Sequence, residues 1–291
     1  MKIGIIGSEN SHTIHIAKTL NADKAVPGFE VTHVWGETDE FAQNAAREGQ
    51  IPNIVKEPEE MIGQIEAFVV DHRHAKYHLP AARPLVEAGL PAFIDKPFCI
   101  DLEEGIEFVR FARAKGVPIT SFSTVPLSRS AAEFRADLKK LGKLRAMATA
   151  GPLDIESEYG GVYFYGIHQV DLMLQSVEAV PTSVSAVRNG DDGVAVISFD
   201  SGLVGVVTCL REWYGGGFIA TAYGDEGVHH TPIKSDEKPY LTGVQMFCKM
   251  FQTGEEPLPP ASYLRPVAVL QAMQKSFDTG QSVEVAALPD F

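Results

Sequence analysis

The chain is poor in the features that mark secreted, membrane-bound and nucleic-acid-binding proteins. Its 291 residues include three cysteines, Cys99, Cys209 and Cys248. They are scattered, odd in number and form no C-x-x-C pair, which excludes a disulfide framework and a zinc ribbon and favours a reducing compartment. Basic residues are outnumbered, 25 against 38 acidic ones, for a formal net charge of −13. Nucleic acid and anionic membrane both reward clustered Lys and Arg, so neither is expected as a partner. No apolar run approaches the length of a membrane-spanning helix. Lys2-Ile3-Gly4 enters a strand at once, so no signal peptide is expected. Repeats and low-complexity tracts are lacking too. The expectation is a cytoplasmic protein of about two domains.

What is present is a regular alternation of strand and helix over the first 122 residues. Residues 2–7, KIGIIG, are apolar and β-branched, as in a buried parallel strand. A helix capped by Asn10 or Ser11 follows, to Leu20. Strands are expected at 30–35, 66–70, 92–94 and 118–122, with helices at 39–48, 77–88 and 102–115. Asp101, with Glu104 three residues on, forms a capping box for the last of these helices. This is the pattern of a doubly wound parallel sheet, a Rossmann-type fold. The alternation breaks after Phe122. A helix at 127–141, a strand at 145–150 and a helix at 166–174 lead into successive strands at 182–188, 193–199, 203–210, 217–223 and 227–231. Asp191-Asp192-Gly193 and Asp200-Ser201-Gly202 read as hairpin turns. Helices at 241–253 and 264–276 close the chain. The fold class is therefore α/β: residues 1–122 a dinucleotide-binding domain, 123–291 an α+β domain on a mostly antiparallel sheet, for substrate and oligomer contacts.

Five stretches carry chemistry. Gly7, followed by Ser8-Glu9-Asn10-Ser11-His12, stands where a dinucleotide fold presents its phosphate-binding turn, though only the first glycine of G-x-G-x-x-G is present. Gly7, Ser8, Asn10 and Ser11 are the candidate cofactor contacts, and the Glu9 carboxylate there would repel a pyrophosphate. The second strand ends at Gly36, with Glu37 placed for ribose hydroxyls, Asp39 beyond and no basic residue to receive a 2′-phosphate. NAD is therefore favoured over NADP. The third main strand runs into Asp71-His72-Arg73-His74, with His78 four residues later. Asp71, His72 and His78 are candidates to line the nicotinamide pocket; a strand-end loop and a helix need not converge the imidazoles, and no metal is expected.

At 95–97, Asp95-Lys96-Pro97 ends a buried strand where open α/β sheets collect ligands. Asp95 is a candidate cofactor contact, and a partly buried Lys96 could give a proton to a substrate oxygen; the alternative is a solvated lysine on a surface turn. The proline permits a cis peptide without requiring one. Finally, His168 and Asp171, three apart in GIHQVDL, share one helical face. That pair suits proton transfer, and equally an ordinary helix N-terminus. Asp171 and Tyr165 are candidate substrate contacts, and Asp171 is placed to orient His168 or a substrate hydroxyl.

These motifs, in this order, resemble the glucose–fructose oxidoreductase / inositol dehydrogenase / MocA family over nearly the whole chain. GIIG at 4–7 is similar to its opening strand, EAG…DKP at 87–97 to its helix and E-K-P or D-K-P turn, and GIHQVDL at 166–172 to its G-x-H-x-x-D segment. The tail, with TGEEP and a late S-x-x-x-G-x-x-V, also resembles the family's ending. The resemblance implies Lys96 as the proton-relay lysine, also close to the cofactor, His168 as its catalytic helper from the second domain, and a sheet that forms a homo-oligomer, a dimer or tetramer. Departures fall at Glu9, His12, Arg73-His74-Ala75 and Phe164, the last where the family often has Asp. The expected activity is NAD-dependent oxidation or reduction of a sugar, polyol or sugar acid. Non-redox isomerisation or elimination with a bound NAD is one alternative, and non-catalytic sugar binding another. Specificity is expected in the loops around 152–165 and 211–217.

Overall fold

A computed structural model describes all 291 residues. The chain divides into two compact units: Met1–Phe122 with Tyr240–Tyr263 and Phe291, and Ser123–Pro239 with Leu264–Asp290. The segment 240–263, expected with the second domain, thus packs with the first.

The first unit is built on β1 (Lys2–Ile6), β2 (Glu30–Trp35), β3 (Asn53–Ile54), β4 (Ala67–Val70), β5 (Ala92–Ile94) and β6 (Ile119–Thr120). They form one sheet in the order β3-β2-β1-β4-β5-β6, every neighbouring pair parallel. The central strands β1, β4 and β5 are buried almost throughout, which explains their unbroken apolar sequence. Strand order reverses between β1 and β4, and the crevice beyond their carboxyl ends is where such sheets bind ligands. The crossovers are α1 (Ser11–Ala17), α2 (Asp39–Gly49), α3 (His78–Glu87) and α4 (Leu102–Ala114). Their starts follow capping chemistry: Asn10 accepts from His12 N, Thr38 from Phe41 N and Asp101 from Glu104 N. Helix α7 (Leu241–Thr253) belongs to this unit because Phe247 stacks on Phe93 of β5 at 4.8 Å. Beyond it, Glu256 accepts the edge amide of Ile119 at 3.1 Å.

The second unit holds α5 (Arg129–Leu138), β7 (Leu144–Pro152), α6 (Tyr163–Leu174), β8 (Pro181–Asn189), β9 (Asp192–Phe199), β10 (Val204–Leu210), β11 (Phe218–Gly224), β12 (Gly227–Ile233), most of α8 (Ala261–Thr279) and β13 (Val283–Glu284). The sheet order is β12-β11-β7-β10-β9-β8-β13. All pairs are antiparallel except β7–β10, which run parallel. Alternate residues such as Val207, Cys209, Ala220 and Ala222 are fully buried, while Val187, Val194, Val196, Val204 and Tyr223 are exposed. The β8–β9 turn sits one step earlier than 191–193: strands end at Asn189 and resume at Asp192, because Gly190 supplies the positive φ of 63°.

Candidate functional site

In the first unit, the turn after β1 lies directly against the end of β4. Gly7 has φ +100°, and a Cβ there would stand 2.6 Å from the His72 amide nitrogen. Gly36, ending β2, is equally constrained, since a Cβ would meet Ser8 Oγ at 2.1 Å. These two glycines bring three strand ends together. Glu37 then reaches across: its Oε2 accepts from the backbone N–H groups of Ser8 at 2.8 Å and Glu9 at 2.9 Å. Its other oxygen, Oε1, is buried without a hydrogen-bond partner, as are Ser8 Oγ and His72 Nδ1. Buried polar atoms are nearly always paired in finished structures, so three orphans at adjoining strand ends mark a place for polar ligand atoms. Glu9 faces outward to Arg73, 3.8 Å away, which offsets the charge expected to repel a pyrophosphate. Ser11, the first residue of α1, is exposed.

Beneath that turn lies a buried network. Asn10 Nδ2 donates to Asp71 Oδ1 at 2.8 Å and to Asp95 Oδ2 at 3.3 Å. His12 Nδ1 lies 3.0 Å from Asp95 Oδ2. Thr13 Oγ1 is 2.8 Å from the Gly7 carbonyl and 2.5 Å from Asp71 Oδ2. A hydroxyl has one proton, and the carbonyl can only accept it. The Thr13 hydroxyl therefore serves one of these two acceptors at a time, and its shorter contact is with Asp71. Burial, then the neighbouring Asp95 charge, push Asp71 well above the usual carboxylate range, against the Thr13 hydrogen bond. Burial acts on Asp95 in the same sense, but His12 and Lys96 outweigh it and hold Asp95 below its ordinary value. The two neighbouring carboxyls are thus pushed in opposite directions.

Asp71 and His78 are both 0% exposed. Both side chains are engaged by protein partners. Asp71 braces Asn10 and Thr13. His78 ties two segments, its ring nitrogens 3.0 Å from the Pro97 carbonyl and 2.9 Å from that of His72. Burial lowers its pKa. Lys96 is no solvated surface lysine: it is 8% exposed, with Nζ 3.6 Å from Asp95 Oδ2. The Lys96–Pro97 peptide is cis.

In the second unit, α6 begins at Tyr163, three residues before Gly166. Gly166 is instead a packing residue, since a Cβ there would stand 2.8 Å from Leu153 Cδ1. His168 is buried, and Ser123 Oγ lies 2.8 Å from its Nδ1. Asp171 does not bond His168. It accepts from Ser123 N at 3.4 Å and from Gln175 Nε2 at 2.9 Å, and so acts on the imidazole through Ser123. Burial pushes Asp171 up to about 6, against the Gln175 and Ser123 bonds and the Arg135 charge. Asp171 is 4% exposed, and its carboxylate supports the Ser123 backbone. Sequence reasoning missed Ser123, which lies 45 residues before His168 and carries no motif. Tyr165 and Phe218 set their rings edge-on to His168, at 5.7 and 5.4 Å. Phe218 also lines a pocket of about 230 Å³ with Thr124, Val125, Ile233, Lys234 and Asp236.

Residues 1–122 match the family model of the glucose–fructose oxidoreductase / inositol dehydrogenase / MocA proteins, described as an oxidoreductase family with an NAD-binding Rossmann fold. The match covers the stretch that carries the parallel sheet and stops at the end of it. Whole-chain structural likenesses accompany it. A myo-inositol 2-dehydrogenase from Lactobacillus plantarum superposes with a TM-score of 0.86 at 16% identity, covering 98% of this chain and 99% of that one. A myo-inositol dehydrogenase from Lactobacillus casei, in complex with NAD(H) and myo-inositol, gives 0.83 at 18%, covering 100% and 98%. A probable dehydrogenase from Thermotoga maritima gives 0.82 at 17%, covering 98% and 99%. At these identities the likeness speaks for the two-domain fold. No curated protein matches the chain by sequence.

Proposed function

We propose that this protein is an NAD-linked oxidoreductase that interconverts a secondary alcohol and a ketone on a sugar, polyol or sugar acid. The observation that carries the reading is Lys96: a buried lysine beside a buried carboxylate, at the carboxyl end of a central parallel strand of an NAD-binding domain. The residues fit the cofactor, because Glu37 Oε1, Ser8 Oγ and His72 Nδ1 are buried polar atoms without partners where a dinucleotide presents hydroxyls and phosphates. Glu37 supports NAD over NADP, since its carboxylate would oppose a 2′-phosphate. When bound, the nicotinamide supplies or accepts the hydride. Lys96 gives or takes the hydroxyl proton. His168, set by Ser123 and walled by Tyr165 and Phe218, assists at the substrate oxygen.

The exposed valines of the second unit's sheet support a homo-oligomer, dimer or tetramer, formed on that face. Three buried free thiols accord with a reducing, cytoplasmic setting, and no helix is long and apolar enough to cross a membrane.

The test is a thermal-shift comparison of NADH and NADPH, followed by a screen of polyols and sugar acids for NAD reduction. Ligand at a hundred times its dissociation constant stabilises the fold by about 2.7 kcal/mol. If neither nucleotide shifts melting at millimolar concentration, the reading fails. Cofactor binding without net redox turnover would favour isomerisation or elimination instead.

A further inference from the structure

A buried ammonium that gives up a proton at each turnover needs a route by which the proton is replaced. Lys96 is such a group, and its side-chain nitrogen faces Asp95 Oδ2 at 3.6 Å. The same carboxylate oxygen faces His12 Nδ1 at 3.0 Å. His12 is the outermost of the three, its side chain 16% exposed against 5% for Asp95 and 8% for Lys96. The imidazole is held by Tyr240, whose ring lies 5.1 Å from that of His12 and stacks on His15 at 4.8 Å. Three groups able to carry a proton therefore adjoin one another through Asp95, with His12 the most exposed of them.

The rest of the network directs the line. Asn10 Nδ2 sits between the carboxyls of Asp71 and Asp95, one N–H toward each. An amide does not relay protons, so Asp71 is set apart from the line and is held instead by Thr13. His12 Nδ1 and one oxygen from each of Asp71 and Asp95 lie within 4.8 Å of one another, a spacing that also suits a cation. Here Asn10 Nδ2 already donates to both carboxyls and Thr13 Oγ1 to Asp71, so these oxygens are engaged in a hydrogen-bonded chain.

We propose that His12 and Asp95 form a proton relay that recharges and discharges Lys96; the inference rests on the oxidoreductase reading above. In carbonyl reduction the substrate carbon gains hydride from the reduced cofactor and its oxygen gains a proton from Lys96 Nζ. Lys96 regains that proton from Asp95, Asp95 from His12 Nδ1, and His12 from water at its other ring nitrogen. In alcohol oxidation every transfer reverses, and one proton leaves for solvent per hydride moved. His12 touches no reacting atom; it acts through Asp95.

The test uses the full chain carrying His12→Asn. Steady-state turnover should fall by about 10²-fold, the lower end of what positioned proton transfer contributes. The first turnover, measured on rapid mixing, draws on the proton already held by Lys96 and should fall far less. Added imidazole should restore steady-state rate. Undiminished turnover, or an equal loss in both phases that imidazole leaves unchanged, would overturn the relay. A second measurement needs no substrate. The groups facing His12 are Asp95, Asp71 and Tyr240, with His15 beyond and Lys96 across Asp95. By NMR, Lys96→Met should raise the His12 titration midpoint, because the Asp95 charge is then no longer shared with an ammonium. An unmoved midpoint would show that the groups are not coupled and would sink the proposal. A chain that turns over no substrate fails the oxidoreductase reading, while the NMR result still decides the coupling.

Discussion

Glu37 offers the sharpest quantitative test of the proposed cofactor preference. Its Oε2 holds the turn after β1 by accepting from Ser8 N and Glu9 N at 2.8 and 2.9 Å, and its Oε1 is buried and unpaired. Glu37→Gln keeps the shape, and the amide oxygen can take over the two backbone bonds. The amide nitrogen then stands where Oε1 was, exchanging an acceptor for a donor and a negative charge for none. A ribose hydroxyl loses a hydrogen bond to a charged group, about 1.5–3 kcal/mol. A 2′-phosphate, by contrast, loses a repulsion. At a separation of about 5 Å that repulsion is about 1–3 kcal/mol per unit charge, between water-like and protein-like screening. NADH should therefore weaken, NADPH should tighten, and the ratio of their dissociation constants should move by at least about 10²-fold. Titration of reduced-nicotinamide fluorescence with both nucleotides, on wild type and variant, reads that ratio directly. Melting temperatures of the free proteins control for loss of the turn. A wild type that prefers NADPH, or a variant whose ratio is unchanged, would refute the role given to Glu37.

Three further outcomes are expected. Lys96→Met keeps the packing of the stem but removes the proton, so kcat on a carbonyl or polyol substrate should drop by about 10²–10⁴-fold, with NADH affinity in a fluorescence titration changing far less. Asn21 donates to the carbonyls of Val31, Gly49 and Gln50 and accepts from Val31 N, joining the start of β2 to the end of α2. Asn21→Ala strands those buried groups and should cost about 2–4 kcal/mol in urea unfolding; a loss under 1 kcal/mol would mean that water replaces the amide. Asp171 is held at about 6, above its unfolded value of 3.8, chiefly by burial. Between those values the folded state binds the extra proton, so stability should fall as pH rises from about 4 to 6, by up to about 3 kcal/mol. Asp171→Asn should flatten that slope in chemical unfolding measured across the range, and an unchanged slope would assign it to other groups.

Several features were legible in the sequence because they are set within a few residues. The apolar run of β1, the Asn10 and Asp101 caps, and the break in alternation after Phe122 all depend on local period and capping chemistry. So does the placing of Asp95-Lys96-Pro97 at a strand end. Other features had no local signal. The two-residue strands β3 and β13 are too short to show a period. The parallel pairing of β7 with β10, inside an otherwise antiparallel sheet, is a choice of neighbour that periodicity does not encode. Residues 240–263 join the first unit through aromatic contacts such as Phe247 on Phe93, made across more than a hundred residues.

The site divides along the same line. Sequence alone picked out Lys96, Glu37 and His168 as residue types at suggestive positions. Only the strand order β2-β1-β4-β5 put Glu37 on the amides of Ser8 and Glu9, and brought His12, Asp71 and Asp95 around Asn10. Only the fold of the second unit put Ser123, and not Asp171, on the His168 imidazole. Local pattern fixes which backbone a residue sits on and which way its face turns. Which side chains then meet, and so which way each carboxyl is pushed, depends on desolvation and on partners tens of residues away, and these exist once the sheet has closed.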